Sequence, residues 1–192
     1  MVEIKTFITY IVCTLLVLLL IRCHKINSEG YKTYIIKEGK HRSTFSYRRT
    51  DRKILTFNAI FDSSAIYTTR DPNNQLDINK LFGLSDCGTD HMDNSIRFGW
   101  RWYNDSLEIH WFKHKEGVFS FDKITSIELD RIYTYEIIIT KDTYELWVGE
   151  EMVLLNRNCI KDKCRKNYYL YPYFGGDETA PHDIKILIKL NK

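Results

Sequence analysis

Between Ser95 and Phe112 the chain reads SIRFGWRWYNDSLEIHWF. Ile96, Phe98, Trp100 and Trp102 alternate with Arg97, Gly99, Arg101 and Tyr103, the period of two that marks a strand with one buried face. Asn104-Asp105 tolerates positive φ and predicts a two-residue turn. Alternation then resumes, with Leu107, Ile109 and Trp111 on the apolar side and Glu108, His110 and Phe112 opposite. Counting outward from the turn pairs Trp102 with Leu107, Arg101 with Glu108, Trp100 with Ile109 and Gly99 with His110. Such a hairpin must bury its tryptophan face. Its other face presents Arg97, Arg101, Glu108 and His110, with Tyr103 nearby, as half-exposed polar groups.

The rest of the chain supplies partners of the same kind. Tyr34 to Ile36 predicts an edge strand, and Ile54 to Asp62 an inner one with Leu55, Phe57, Ala59 and Phe61 on one side. Further strands are expected around Lys80–Leu84, from Val118, over Tyr133–Thr140 and Tyr144–Val148, over Met152–Leu155, Tyr168–Phe174 and His182–Leu190. No helical period and no internal repeat is visible beyond the N-terminus. These spacings predict an all-β, two-sheet antiparallel β-sandwich as a single domain over residues 34–192. The run YEIIITKDTYELWVGEEMVLL is similar to the late strands of concanavalin A-like jelly rolls and laminin-G-like domains, which implies that form of sandwich.

Ahead of the domain, Phe7 to Ile21 is an apolar run of 15 residues behind Lys5. At about 1.5 Å per residue it spans about 22 Å, short for a bilayer core of about 30 Å. It suits the apolar part of an export signal over residues 1–22, with 23–33 as a polar tether. Leu20-Ile21-Arg22-Cys23 resembles a lipobox, which implies lipidation of Cys23; Arg22 departs from that pattern, where a small residue stands. An uncleaved short anchor is the alternative membrane attachment. DINKLFGLSDC, NSIRFGWRWYND and LYPYFGGDETAPHDIKI together resemble a family of functionally uncharacterised secreted bacterial proteins, many of them lipoproteins. That resemblance implies an exported β-sandwich in the cell envelope and lends no catalytic residues.

Export permits disulfides. Cys87, Cys159 and Cys164 remain after Cys13 and Cys23, and pairing Cys87 with Cys159 is favoured over Cys87 with Cys164 or a small Cys159–Cys164 loop. Closing so long a loop would contribute about 4 kcal/mol through chain entropy. No Cys-x-x-Cys spacing supports zinc. A net charge of +3 without a concentrated basic stretch argues against a nucleic-acid partner.

Three groups of residues carry chemistry. Arg97, Arg101, Tyr103, Glu108 and His110 suit glycan binding, since Arg, Glu and His hydrogen-bond hydroxyls or carboxylates and aromatic faces stack on sugars. The expectation is a non-catalytic carbohydrate-binding module. A polysaccharide lyase using Arg97, His110 and Tyr103 is the catalytic alternative, and a structural or protein-interaction lipoprotein is the third. Asp177, Glu178 and Asp183, beside Gly175-Gly176, offer oxygen ligands for a structural calcium. Asp90, His91 and Asp93 follow Asp86-Cys87 and are expected at the rim of the groove that holds His110. The Glu-x-Asp-x-x-Glu strand of laminarinase-type hydrolases is absent, so paired-carboxylate hydrolysis is discounted.

Overall fold

The computed structural model describes residues 29–157, 159 and 166–191. The leader over 1–22, Cys23, the start of the tether and Cys164 lie outside the described residues. Twelve strands form among those described: β1 (Lys32–Ile36), β2 (Arg49–Thr50), β3 (Ile54–Phe61), β4 (Asn79–Ser85), β5 (Asn94–Tyr103), β6 (Ser106–Lys115), β7 (Val118–Ile127), β8 (Tyr133–Ile139), β9 (Thr143–Val148), β10 (Glu151–Asn156), β11 (Asn167–Leu170) and β12 (Ile184–Leu190). They make two six-stranded antiparallel sheets, ordered β1-β12-β3-β8-β9-β10 and β2-β11-β4-β5-β6-β7. The all-β jelly-roll sandwich expected from the sequence is the fold.

The hairpin sits where the alternation puts it. Asn104 and Asp105 have φ of 50° and 55°, and the register pairs Trp102 with Leu107, Arg101 with Glu108 and Gly99 with His110. Its apolar face closes on β3 and β8 of the facing sheet. Phe57 and Tyr135 stack with centroids 5.0 Å apart, and Phe98 meets both edge-on. Trp100 packs against Phe61 and Tyr67. Trp102 and Trp111, on the same face, are only partly buried because they lie toward the margin of this cluster.

Three differences from the sequence reading have local causes. β1 opens at Lys32, inside the expected tether, because Lys32 and Thr33 pair with Ile188 and Leu187 of β12. The strand expected over Tyr168–Phe174 stops at Leu170, since Pro172 has no N–H for a ladder; beyond it only Tyr173 pairs, with Lys80 and Arg42. The polar side of the hairpin is not half-exposed. Arg97 retains 7% of its accessible surface and His110 3%, because neighbouring strands and loops close over that face.

Cys87 and Cys159 are disulfide-bonded, with Cα atoms 5.9 Å apart across a separation of 72 residues. Beside the bond, the fully buried Asp86 carboxylate accepts hydrogen bonds from Arg157 Nε at 2.6 Å, Arg157 Nη2 at 3.0 Å and the Tyr144 hydroxyl at 2.7 Å. Bond and ion pair together fasten the loop after β4 to β9 and to the segment after β10.

Candidate active site

The side of the second sheet turned away from the core is built by the alternate residues of β5 and β6. Register places Ser95 opposite His114, Arg97 opposite Phe112 and Gly99 opposite His110. β4 and β5 approach closely at Arg97 because Gly83 on β4 has no side chain; a Cβ there would overlap Arg97 Cα and Cβ and the Ile96 carbonyl. The ladder between β4 and β5 slips between Lys80 and Gly83, which brings Lys80 onto the same face. Arg97 and Lys80 both stand over the Phe112 ring, at 5.6 and 4.4 Å from its centroid.

A cleft of about 250 Å³ opens above Arg97, with Arg42, Tyr47, His91, Tyr168 and Tyr173 among its walls. His91 comes from the loop between β4 and β5, and Tyr168 from β11. The Tyr168 hydroxyl accepts from the His91 backbone N–H at 2.8 Å and lies 3.0 Å from His91 Nδ1. It also stands 3.3 Å from Asp90 Oδ2. Behind them, His114 Nδ1 faces the Ser95 hydroxyl at 3.3 Å. Past Tyr47 and Tyr168 a wider recess of about 610 Å³ continues toward Arg49 and Lys166.

The electrostatics of this cleft follow from burial next to cations. Desolvation and the Arg97 charge push His114 down to about 4 and also lower His91, although Asp90 opposes the shift of His91. Both imidazoles are therefore neutral at pH 7. Burial raises Tyr168 to about 12, so its phenol keeps its proton. Desolvation and Arg97 bring Lys80 down to about 8. Arg97 Nε is buried without a hydrogen-bond partner. Among the described residues no carboxylate lies in salt-bridge contact with Arg97 or Lys80.

The five residues expected to form one contact face are divided by the structure. Arg97 floors the cleft. Toward the turn, Glu108 is occupied on both oxygens: Arg101 Nε donates at 2.6 Å, Lys123 Nζ at 2.9 Å, and His110 Nε2 lies at 3.2 Å. Burial opposes its ionisation, but the bonds from Lys123 and Arg101 prevail and hold Glu108 at about 2. Arg101 also lies over the Tyr103 ring, at 4.8 Å. This cluster is internally compensated, whereas Arg97 is not. His91 lines the cleft and Asp90 the adjoining recess, whereas His110, whose groove Asp90, His91 and Asp93 were expected to rim, belongs to the Glu108 cluster, and Asp93 is exposed. Tyr168, Tyr173, Lys80 and His114 escaped the sequence reading; His114 was within reach of it, two alternations beyond His110 on one face.

The proposed calcium ligands are spent separately. Glu178 accepts from the Arg70 and Asp71 backbone N–H groups and from Asn74. Asp183 accepts from Lys37 Nζ and the Glu38 N–H, and Asp177 is exposed. Among the described residues these carboxylates do not converge on one point. Among the described residues the one set of potential ligands that does is Asp86, Cys87 and Cys159, and its two sulfurs are joined to each other.

A jelly-roll sandwich with an open cleft on the outer face of one sheet, floored by an uncompensated arginine, defines the class of architecture. No family model matches the sequence, and no curated protein does. Solved structures of that architecture do match. An alginate lyase from a Chlorella virus superposes with a TM-score of 0.54 at 9% identity, covering 83% of this chain and 82% of that one. The alginate lyase AlyC3 gives 0.59 at 11% identity, covering 85% and 74% respectively, and it is also solved in complex with dimannuronate. A non-specific endo-β-1,3(4)-glucanase of family GH16 gives 0.51 at 11%, covering 83% and 69%. At these identities the likeness is one of fold.

Proposed function

We propose that this chain cleaves a uronate-containing polysaccharide by β-elimination in the cleft above Arg97. The carrying observation is the pair Arg97 and Lys80, a buried and a half-buried cation with no carboxylate in salt-bridge contact among the described residues. An isolated buried charge is costly. A uronate carboxylate would supply the counter-charge and satisfy the guanidinium with two parallel hydrogen bonds. The same contact acidifies the proton on C5, the carbon bearing that carboxylate. In this reading neutral His91 removes the C5 proton, the electrons of that bond form the C4=C5 double bond, and the bond from C4 to the glycosidic oxygen breaks. Tyr168 gives its proton to the departing oxygen. The two groups are one hydrogen bond apart, so the proton returns to Tyr168 through His91.

Alginate lyases among the structures of similar fold support this choice. So does the absence of a Glu-x-Asp-x-x-Glu strand, which disfavours hydrolysis. The test is to incubate the protein with alginate and polygalacturonate and follow the ultraviolet absorbance of the unsaturated product. Arg97→Gln is expected to lower turnover about a hundredfold, the scale of losing one preorganised electrostatic contact. Activity should fall on the acid side as the pH drops through the His91 value, which burial and Arg97 hold below the usual histidine range, and on the alkaline side near the Lys80 value of about 8. Lys80→Arg should carry that second limb upward. An Arg97→Gln variant at full rate would remove this site. Tight binding with no unsaturated product would leave the carbohydrate-binding module instead.

We further infer that the domain works outside the cytoplasm, held to the membrane through Cys23. The apolar run ending two residues before Cys23 and the disulfide-bonded Cys87–Cys159 pair support that address. Unchanged lipid labelling and membrane fractionation in Cys23→Ala would dismiss the lipid anchor.

A further inference from the structure

β7 is the free edge of the sheet that carries the cleft. Edge strands are ordinarily blunted with charge or covered, yet Val118, Phe119 and Phe121 stand out in solvent, with Phe119 59% and Phe121 39% exposed. Their rings are not randomly disposed. Phe119 and Phe121 lie within 4° of parallel, with centroids 6.3 Å apart. Each is also parallel to the buried Phe112, within 6° and 4°, at 5.8 and 6.1 Å. His114 meets Phe119 edge-on and His110 meets Phe121 in the same way, which buttresses both rings. Phe112 is the ring that Arg97 and Lys80 stand over. The aromatic array therefore begins at the cleft floor and runs without interruption to the sheet edge.

We propose that Phe119 and Phe121 form a stacking platform for the sugars next to the one held at Arg97, so that the site grips an extended stretch of polymer. The proposal rests on the uronan reading of the cleft. Continuity identifies the occupant: from β5 to β7 is two strand spacings, about 10 Å, on one face and joined through Phe112. Sugar rings pair an apolar C–H face with hydroxyl edges, and a parallel aromatic pair takes the apolar face. At the opposite end, the recess beyond Tyr168 offers Arg49 and Lys166. A groove with binding groups on both sides of its reacting centre takes the interior of a polymer.

The experiment is calorimetric binding of mannuronate dimers and hexamers to the full chain carrying Tyr168→Phe, so that no substrate is consumed. Phe119→Ala/Phe121→Ala is then compared in that background; both residues are exposed, and a melt checks that the fold is kept. The expected result is hexamer binding weakened about tenfold, in line with stacking of about 0.5–1.5 kcal/mol per ring pair, with dimer binding unchanged. Phe119→Tyr/Phe121→Tyr should keep the hexamer affinity. Equal hexamer affinity in the alanine variant overturns the platform and leaves the Arg97 cleft standing. If the parent binds neither mannuronate nor galacturonate oligomers, the uronan reading falls and the platform with it.

Discussion

Replacing Asp86 with alanine is expected to destabilise the domain by about 3–5 kcal/mol, the scale of stranding one member of a buried ion pair. Arg157 would keep its buried guanidinium but lose two hydrogen bonds to the carboxylate, and the Tyr144 hydroxyl would lose its acceptor. Urea unfolding of the purified domain measures this, with disulfide formation verified by mass mapping in both proteins. A loss below about 1 kcal/mol would mean that the pair contributes no more than an exposed salt bridge. The same group sets an acid limit. Burial would raise its pKa, but hydrogen bonds from Arg157 and Tyr144 outweigh burial and hold it below the usual carboxylate value. A depressed folded value means that the contribution is complete above the unfolded pKa of about 3.9 and disappears as the pH falls toward the folded one. The parent should therefore lose stability in acid more steeply than Asp86→Ala does.

Trp100→Ala should cost about 3–5 kcal/mol as well, by a different route: it empties a large, fully buried space between the sheets. Phe61 and Tyr67 lose their ring contacts there, and the paired backbones of β4 and β6 on either side limit collapse into the gap. Phe119→Ala, equally a lost aromatic, should change stability by less than about 1 kcal/mol because Phe119 is already in water. Denaturant melts of the two variants side by side decide the matter. Similar losses at both positions would mean that the assigned inner and outer faces of the sheet are wrong.

The inner face was readable because alternation is a local property. Ile96 to Trp102 needs no partner to declare which side is apolar, and Asn104-Asp105 fixes the register by itself. The turn chemistry then gave the pairs Arg101–Glu108 and Gly99–His110 without reference to any distant strand. The cleft resisted the same treatment because its members meet only through long-range pairing. Tyr168 reaches His91 across 77 residues of sequence, and Lys80 arrives beside Arg97 through a slipped ladder that no pattern announces. Burial of the polar face was equally invisible. Whether Arg97 and Glu108 are compensated depends on which strand lies next to each: Lys123 from β7 reaches Glu108, and among the described residues no carboxylate makes a salt bridge to Arg97. Hence the sequence reading placed all five polar residues in one site, where the structure holds one compensated cluster and one uncompensated cation.

Arg97 projects from the middle of a ten-residue strand, walled by Gly83 and fixed by two neighbouring ladders. The groups around it come from elsewhere: His91 from a loop, Tyr168 from a four-residue strand, Tyr47 and Arg42 from irregular chain. The site thus joins a fixed cation to an exchangeable rim. Under the proposed function, substitution in the rim would alter which neighbouring sugars, linkages or chain ends are admitted without disturbing the sheet beneath. A descendant of this chain would then change its substrate and keep the cation in place.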